Sequence, residues 1–355
     1  MKKILVGMSG GVDSSVAALL LKQQGYDVCG CTLKLFERED EDECEVRTCC
    51  SLSDVEDARR VCHKLGIEHY VFNFKDLFMH DVIDAFAESY INGETPNPCI
   101  ECNRYIKFDK MLKRAEEMGY DGIATGHYAK IVYDEGKGRY LLLRPEDRKK
   151  DQTYVLYNMT QYQLARTLFP LWGTDKPENR RLAEENGLIN ARKPDSQDIC
   201  FVPDGDYASF IKKHTGKDFK QGNFIDTDRN IIGKHQGIIN YTVGQRKGLG
   251  VTFGKPVFVC AKNCEDNTVT LGDAQSLLSS ELYADDINII SQENLFEPVK
   301  CTAKTRYSMT DQPCTAVQEG DRLKVVFDTP QRAVTKGQAV VLYDGDIVIG
   351  GGKIV

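Results

Sequence analysis

The stretch Gly7-Met8-Ser9-Gly10-Gly11-Val12-Asp13-Ser14-Ser15 decides the fold of the first part of the chain. It lies between an apolar run and a run with helical character, so the order is strand, glycine-containing turn and helix. The first N–H groups of a helix have no partner within the helix, and the helix dipole favours anions at that end. The glycines allow close approach to the backbone, and the serines add hydroxyl donors. The pattern predicts a phosphate-binding loop; the alternative is an ordinary turn rich in glycine and serine.

The loop differs from the common G-x-x-x-x-G-K-[ST] phosphate loop. Asp13 occupies its middle, and no lysine follows it. A carboxylate beside phosphates is expected to hold Mg²⁺, which takes oxygen ligands. The order Ser-Gly-Gly-Xaa-Asp-Ser is also similar to the signature of the ATP pyrophosphatases, which adenylate an oxygen and release pyrophosphate.

Length and composition describe a globular protein of two or three domains. The chain has 355 residues, of which 41% are hydrophobic and 28% are charged. No apolar run is long enough to cross a membrane, and Met1-Lys2-Lys3 leads directly into a strand rather than a signal peptide. We therefore expect a cytoplasmic protein without a membrane partner, in which the 13 cysteines are mostly thiols.

Strands and helices alternate over residues 1–203, which predicts an α/β fold with a doubly wound parallel sheet. Ligands of such sheets bind outside the carboxyl ends of the strands. Residues 151–168 are predicted to be helical, and the acidic segment 37–45 an exposed loop. From about Tyr283, short β-branched segments predict a small β-barrel or a sandwich. The expected domains are a nucleotide-binding catalytic domain, 1–203, a small mixed central domain, 204–280, and a C-terminal barrel, 281–355.

The distribution of charge favours a nucleic-acid partner more than the total does. The formal net charge is −7, which argues weakly against such a partner. Residues 139–150, however, contain five basic and two acidic side chains, and further basic pairs follow along the chain. A string of basic groups in an acidic protein favours a surface that follows phosphates, although any single pair is more simply explained as solvated surface charge.

Two cysteines are candidates for sulfur chemistry. Cys102 lies just before a predicted helix, whose N-terminus would lower its pKa, and Cys200 lies in a polar loop near the domain change. One alternative is that each is a small buried hydrophobe. Another is a metal site, because Cys99-x-x-Cys102 has ligand spacing and Cys49-Cys50 could complete the set.

Taken together, the motifs resemble the bacterial tRNA-specific 2-thiouridylases over essentially the whole length. The resemblance rests on residues 7–14, Thr95-Pro96-Asn97-Pro98, Cys102-Asn103, Ala124-Thr125-Gly126-His127-Tyr128, Lys150-Asp151-Gln152, Ser196-Gln197-Asp198-Ile199-Cys200-Phe201, residues 241–248 and Arg306-Tyr307. Cys99 stands where some members carry aspartate, and Leu33 where methionine is common.

The resemblance implies a reaction. With Mg²⁺, ATP adenylates the 2-carbonyl oxygen of the wobble uridine in glutamate, glutamine and lysine tRNAs. A cysteine persulfide then supplies sulfur, and AMP leaves. The sulfur would come from a cysteine desulfurase or a sulfur-carrier protein. Competing interpretations are an amide-forming ATP pyrophosphatase, a metal-cluster-dependent tRNA thiolase, and an RNA-binding protein with a vestigial nucleotide site.

The resemblance also implies roles for individual residues. The nucleotide would be contacted by Gly7, Met8, Ser9, Gly10, Gly11, Val12, Asp13, Ser14, Leu33 and Gly126. The target base would be contacted by Asn97, Pro98 and Cys99, and the rest of the tRNA by Lys150, Asp151, Gln152, Arg306 and Tyr307. The predicted catalytic residues are Asp13, Cys200 as the persulfide carrier, and Cys102 as its partner in a disulfide. Apart from Mg²⁺ held at Asp13, no metal site is predicted.

Overall fold

The computed structural model describes residues 1–36, 52–194, 199–250, 254 and 256–355. The acidic segment, Cys49-Cys50 and Ser196-Gln197-Asp198 lie outside the described residues. In the described ranges, no helix has both the length and the apolar character needed to cross a membrane.

The N-terminal part alternates strands and helices, as predicted. Its strands are β1 Lys3–Gly7, β2 Asp27–Lys34, β3 His69–Asn73, β4 Gly122–Ala124, β5 Lys130–Asp134, β6 Arg139–Leu143 and β7 Thr167–Leu168. Its helices are α1 Val12–Gln23, α2 Leu52–Leu65, α3 Lys75–Phe78, α4 Ala85–Ile91, α5 Pro98–Glu101, α6 Met111–Glu117, α7 Gln161–Leu164 and α8 Lys176–Glu185. The π-helical segments Met79–Asp84 and Cys102–Lys110 join α3 to α4 and α5 to α6.

Within the described residues, five of these strands form a parallel sheet in the order β3-β2-β1-β4-β7. Alternate residues of β1 are buried on opposite faces: Leu5 belongs to one apolar cluster, and Ile4 and Val6 belong to another. A strand buried on both faces is what a doubly wound sheet requires. The predicted α/β fold is therefore confirmed. The glycine-containing stretch of residues 7–15, called the glycine loop below, lies at the carboxyl edge of the sheet.

The prediction of one helix over residues 151–168 is wrong. The segment contains a 3₁₀ turn, Thr153–Leu156, the short helix α7 and the strand β7. The Asp151 carboxylate accepts a hydrogen bond from the Thr153 backbone at 2.9 Å, which favours a turn over a helix. Residues 153–159 are also buried in succession rather than on one face. The run of apolar residues is therefore explained by burial of the whole segment, and it does not indicate one buried face of a helix.

The rest of the chain forms a small mixed unit and a barrel. The central elements are α9 Tyr207–Thr215, β8 Gly222–Ile225, β9 Ile231–His235, β10 Phe258–Asn263 and β11 Thr268–Gly272, with the strands in the order β10-β11-β8-β9. The C-terminal strands are β12 Leu278–Ile289, β13 Val299–Lys304, β14 Gln312–Glu319, β15 Arg322–Arg332, β16 Ala339–Asp344 and β17 Ile347–Ile354. Pairing of β12 with β17 closes them into a ring, as predicted, and β17 also pairs with β6 of the N-terminal part.

Candidate active site

The glycine loop joins the end of β1 to the start of α1. Gly10 has a φ of +73°, and an added Cβ would lie 2.5 Å from the backbone oxygen of Asp54 on α2, so the position requires glycine. Gly11 precedes α1 and has no side chain to cap the first N–H groups of the helix. The backbone nitrogen of Ser9 donates to the Ser14 hydroxyl at 3.2 Å and so shapes the loop from within. This geometry suits an anion at the N-terminus of α1.

The Asp13 carboxylate is held from two sides. The Tyr128 hydroxyl donates to its Oδ1 at 2.8 Å, and the Lys176 ammonium contacts its Oδ2 at 2.7 Å. The Tyr128 oxygen in turn accepts a hydrogen bond from Asn179 at 2.8 Å. The Asp13 side chain keeps 30% of its surface exposed, so this cluster borders solvent and is accessible to a ligand.

A further amide fixes the loop from outside. The Asn190 Nδ2 donates to the Gly10 carbonyl oxygen at 3.0 Å and to the Ser15 hydroxyl at 2.8 Å. Sequence reasoning did not assign Asn190, Tyr128 or Lys176 to this site. They lie 115 to 180 residues along the chain from their partners. The one available signal was that Tyr128 follows the Gly126-His127 motif.

Gly126 packs directly against the loop. An added Cβ on Gly126 would lie 2.7 Å from the Ser14 nitrogen, so the end of β4 approaches the first turn of α1 closely. The neighbouring His127 is buried, and its Nδ1 lies 2.7 Å from the Thr125 hydroxyl. Burial, together with the charge of Lys107, holds the pKa of His127 well below its usual range. The His127 imidazole is therefore neutral at physiological pH.

Leu33 lies at the same edge of the sheet. Gly7 pairs with Cys31, so Leu33 extends two residues past the end of β1. It is half-buried and packs against two apolar clusters. The structure thus places Leu33, Gly126 and the glycine loop on one edge, which is where nucleotides bind in this class of fold.

Lys193 connects the loop to the segment that leads to Cys200. Its ammonium contacts the Asp54 carboxylate at 2.6 Å and the Asp57 carboxylate at 2.7 Å. Burial lowers the pKa of Lys193, but these two hydrogen bonds raise it by more, so the net shift is upward. The lysine therefore stays charged and fixes α2, which contacts Gly10, to the chain just before residue 195.

The predicted base-contacting loop, residues 94–99, is held in position by the C-terminal barrel. The Asn97 side chain caps α5 and accepts a hydrogen bond from the Cys99 nitrogen at 3.1 Å. The Thr95 nitrogen donates to the Lys336 carbonyl oxygen at 2.9 Å, and the Gln338 side chain donates to the Thr95 carbonyl oxygen at 2.6 Å. The base-contacting loop is thus positioned by residues of the barrel, whereas the glycine loop is positioned by residues of the N-terminal part.

The neighbouring Glu94 adds two more contacts. The Lys353 ammonium lies 2.7 Å from its carboxylate, and Lys262 of the central unit lies 3.5 Å from its carbonyl oxygen. Burial lowers the pKa of Lys262 to about 8. Gly337 packs so closely that an added Cβ would lie 2.8 Å from the Glu94 Cβ. The base-contacting loop is therefore held by both later parts of the chain.

A cavity of about 230 Å³ lies beside this loop. It is bounded by the helical segment 79–91, the start of α5 and the barrel, and its lining includes Asn97, Pro98, Glu101, Arg104 and Asp286. The Arg104 guanidinium and the Asp286 carboxylate form a two-point ion pair across it. Burial raises the pKa of Glu101. The cavity offers polar and charged groups next to two of the residues predicted to contact the base.

The candidate cysteines occupy different surroundings. Cys99 is exposed, whereas Cys102 is buried and Cys200 is half-buried. Cys102 and Cys200 pack in one apolar cluster with Phe86 and Phe201, so the fold brings their segments together. The helix begins at Pro98 rather than after Cys102, which places Cys99, and not Cys102, in its first turn.

Some of the residues predicted to contact tRNA lie at the surface, and others are buried. Lys150 ends a 3₁₀ turn, Arg148–Lys150, on the surface side. Asp151 is buried, with Arg144 and Lys304 each 3.7 Å from its carboxylate. The Gln152 side chain accepts a hydrogen bond from the Tyr128 nitrogen at 2.9 Å, which links this segment to the Asp13 cluster.

Arg306 and Tyr307 lie on the loop between β13 and β14. The Arg306 guanidinium donates to the Val243 carbonyl oxygen at 3.0 Å and to the Thr335 hydroxyl at 2.7 Å, so it joins the central unit to the barrel. Tyr307 is exposed. Desolvation of the covered part of its side chain, and then the charges of Asp151 and Cys99, raise the pKa of Tyr307.

The metal-site alternative has no support in the ranges described. There, no group of three His, Cys, Asp or Glu side chains is arranged to hold a metal ion. The pair that would complete the set, Cys49-Cys50, lies outside the described residues, so that alternative is not tested.

Family models match the chain in three consecutive segments. Residues 2–204 match a tRNA methyl transferase HUP domain, residues 208–273 a tRNA methyl transferase PRC-barrel domain, and residues 279–354 an aminomethyltransferase β-barrel domain. A solved complex of a 4-thiouridine synthetase with RNA and ATP is 18% identical with a TM-score of 0.38, over 61% of this chain and 50% of that one. That similarity is too weak to bear on function.

Full-length relatives are much more similar. The chain is 57% identical over 354 residues to the tRNA-specific 2-thiouridylase MnmA of Clostridioides difficile (strain 630), covering 99% of this chain and 98% of the relative. It is 55% identical over 355 residues to the MnmA of Acetivibrio thermocellus, covering 99% of both. With the parallel sheet, the glycine loop and the closed barrel in place, these matches confirm the resemblance: the chain belongs to the tRNA-specific 2-thiouridylase family.

Proposed function

We propose that the chain uses ATP to adenylate the 2-oxygen of a tRNA uridine at the glycine loop and then replaces that oxygen with sulfur carried by Cys200. That the product is 2-thiouridine in tRNA, and that the enzyme is a sulfurtransferase, follows from the family to which the chain belongs. The route, the residues and the substrates in detail are the proposal. The site of action is the cytoplasm, and the substrates are the glutamate, glutamine and lysine tRNAs at the wobble uridine.

The observation that carries the proposal is the close approach of Gly126 to the first turn of α1. Gly10 and Gly126 both lie where a side chain would collide with neighbouring backbone, at 2.5 and 2.7 Å. Glycines at both positions allow α2 and the end of β4 to pack closely around the loop, and the Ser9 and Ser14 hydroxyls lie at the helix N-terminus. Such a site suits the phosphates of a nucleotide. Leu33, on the neighbouring strand, would contact the adenosine.

The residues present fit an Mg²⁺ ion that arrives with ATP. Magnesium is usually held by one or two carboxylates together with substrate phosphates. The exposed part of the Asp13 carboxylate, at the start of α1, supplies one such group. In this position Mg²⁺ would neutralise phosphate charge as pyrophosphate leaves, and Asp13 is the residue that would hold it.

The sulfur step follows from thiol chemistry. A carbonyl oxygen is a poor leaving group until it is adenylated, after which AMP can depart. The outer sulfur of a Cys200 persulfide attacks the activated carbon, and the C–O bond to AMP breaks. The Cys102 thiolate then attacks the inner sulfur of Cys200, which releases the new sulfur to the uridine and leaves a Cys102–Cys200 disulfide. A thiol reductant supplies the two electrons that restore both thiols.

The base must leave the anticodon stack to reach this chemistry. Asn97, Pro98 and Cys99 would contact it, with Lys150, Asp151, Gln152, Arg306 and Tyr307 as the surrounding tRNA contacts. Asp151 is buried, and Gln152 and Arg306 make hydrogen bonds within the protein. These contacts favour a role for all three residues in positioning the tRNA-binding surface. Tyr307, which is exposed, is the better candidate for direct contact with RNA.

Mass spectrometry of tRNA nucleosides tests this function. Incubation with ATP, Mg²⁺ and a persulfide donor, either a cysteine desulfurase or a sulfur-carrier protein, should give 2-thiouridine, with AMP and pyrophosphate formed only when tRNA is present. An amide-forming synthetase would release AMP without tRNA, and an RNA-binding protein would release none. Loss of thiolation on chelation of iron or zinc would favour the metal-dependent route.

A further inference from the structure

We infer that Lys176 is the phosphate-binding lysine of this site, supplied from α8 because the glycine loop itself has none. The inference rests on the proposed function and assigns a new residue to it. Loops of the G-x-x-x-x-G-K-[ST] kind carry a lysine that reaches the terminal phosphates. Here the loop continues from Asp13 into Ser14 and Ser15, so any such cation must come from elsewhere in the fold.

Lys176 is placed to serve this role. Its ammonium lies 2.7 Å from the Asp13 carboxylate, and its side chain is only 12% exposed. Asp13 is the second residue of α1, whose N-terminus forms the anion site. A largely buried lysine that contacts this residue therefore lies next to the proposed anion site.

The support around Lys176 indicates a prepared position. It is the first residue of α8, which the Asp175 side chain caps by accepting from the Glu178 nitrogen at 2.8 Å. Asn179 lies one turn further on the same face and donates to the Tyr128 hydroxyl, the other partner of Asp13. Two side chains of one helix face thus support the Asp13 carboxylate, Lys176 by direct contact and Asn179 through the Tyr128 hydroxyl.

The pairing with Asp13 suggests how the lysine becomes available. A nucleotide brings Mg²⁺, for which a carboxylate is a preferred ligand. Once Asp13 turns to that ligand role, the positive charge of Lys176 lies beside the phosphates. A fixed cation there stabilises the charge that develops on departing pyrophosphate. The ion pair would then be the resting arrangement of both groups.

Calorimetric titration with Mg²⁺ plus ATP, inorganic pyrophosphate or AMP tests the assignment. Lys176→Met should weaken binding of pyrophosphate and ATP by about tenfold or more, the effect expected for a lost charge-assisted contact, and change AMP binding by less than about twofold. Lys176→Arg should recover part of the loss. Arg181→Met, which removes an exposed charge from the same helix, is the matched control and should bind all three ligands normally.

Two further measurements separate the alternatives. If Lys176 serves only to neutralise Asp13, adding Lys176→Met to Asp13→Asn should weaken pyrophosphate binding no further, whereas the inference requires the double variant to bind pyrophosphate more weakly than Asp13→Asn alone. Equal weakening of AMP and pyrophosphate by Lys176→Met, or no weakening of either, would also overturn the inference. Thermal unfolding confirms that each variant is folded. If the wild type binds neither ATP nor pyrophosphate, the proposed function fails and not merely the role of Lys176.

Discussion

The glycine loop and the base-contacting loop, residues 94–99, are built in opposite ways. The glycine loop is held by Tyr128, Lys176 and Asn190, all within the segment that matches the HUP domain. The base-contacting loop is held by the central unit and the barrel, through contacts from residues 262, 336, 338 and 353 to residues 94 and 95. One site is complete within one domain, and the other needs all three.

This difference separates two steps of the reaction. A nucleotide can be bound by a site whose parts share one sheet edge. In the proposed function, the tRNA base is positioned by a loop that the barrel and the central unit hold in place. Changes in the barrel should therefore affect transfer to tRNA without affecting nucleotide binding, and changes around Asp13 should do the reverse.

The largest expected effect is that of Asp13→Asn. An amide cannot replace the carboxylate as a partner for Mg²⁺, so AMP formation should fall by about a hundredfold or more, as for loss of one preorganised electrostatic group. Binding of tRNA, measured by filter retention, should stay within about twofold of the wild type because that surface is formed elsewhere. Asp121→Asn, at the opposite edge of the sheet where the side chain accepts from the Lys3 nitrogen, is the control. Normal AMP production by Asp13→Asn would remove the loop from the mechanism.

Cys200→Ser and Cys102→Ser should each abolish thiolation, because a hydroxyl oxygen can neither carry a persulfide nor form a disulfide. Formation of AMP in the presence of tRNA should persist, since adenylation needs neither thiol. With an isotopically labelled sulfur donor, peptide mapping of Cys102→Ser should find the persulfide on Cys200. Cys260→Ser is the control, because this half-buried thiol lies in the central sheet, where it donates to the Phe258 carbonyl oxygen.

The outcome that would contradict this assignment is also specific. Persulfide on Cys99 or Cys49, or full thiolation without Cys200, would show that Cys102 and Cys200 do not form the transfer pair. The metal-site alternative would then return, because Cys99 and Cys102 would be ligands rather than nucleophiles.

Gly337→Ala tests the dependence of the base-contacting loop on the barrel. Gly337 has a φ of +87°, and an added Cβ would lie 2.8 Å from the Glu94 Cβ and 3.0 Å from the Thr95 nitrogen. The substitution should displace the loop and lower tRNA-dependent AMP formation and thiolation by about tenfold, because small misplacement of a substrate is costly. Binding of ATP should not change.

A matched glycine in the same barrel isolates this effect. Gly345 has a φ of +56°, and an added Cβ there meets nothing within 4 Å. Gly345→Ala carries a similar backbone penalty without a collision, so it should lower thermal stability and leave activity unchanged. If the two variants lose activity equally, the loss comes from general destabilisation of the barrel and not from the loop.

The sequence predicted local features well and distant contacts poorly. The loop, the parallel sheet and the closed barrel follow from patterns a few residues long, and each is confirmed. The partners of Asp13 could not be found in this way, because Tyr128 and Lys176 meet it only through tertiary packing. The predicted helix over residues 151–168 failed because consecutive burial of apolar side chains resembles helical patterning in sequence.

The smallest expected effect concerns the surface that surrounds both loops. Lys149 and Lys150 lie on a 3₁₀ turn capped by Asp147. If they contact tRNA phosphates, Lys149→Ala with Lys150→Ala should weaken all cognate tRNAs similarly, by about three- to tenfold at low salt, and lower the slope of log affinity against log salt by about 2. The same change at Lys2 and Lys3, exposed at the opposite edge of the sheet, should alter neither quantity. Equal effects of the two pairs would mean that only overall charge matters, and an affinity independent of salt would contradict a phosphate-binding surface. The loss should be seen in tRNA binding alone, with ATP affinity unchanged, because neither pair lies in the cluster that holds Asp13.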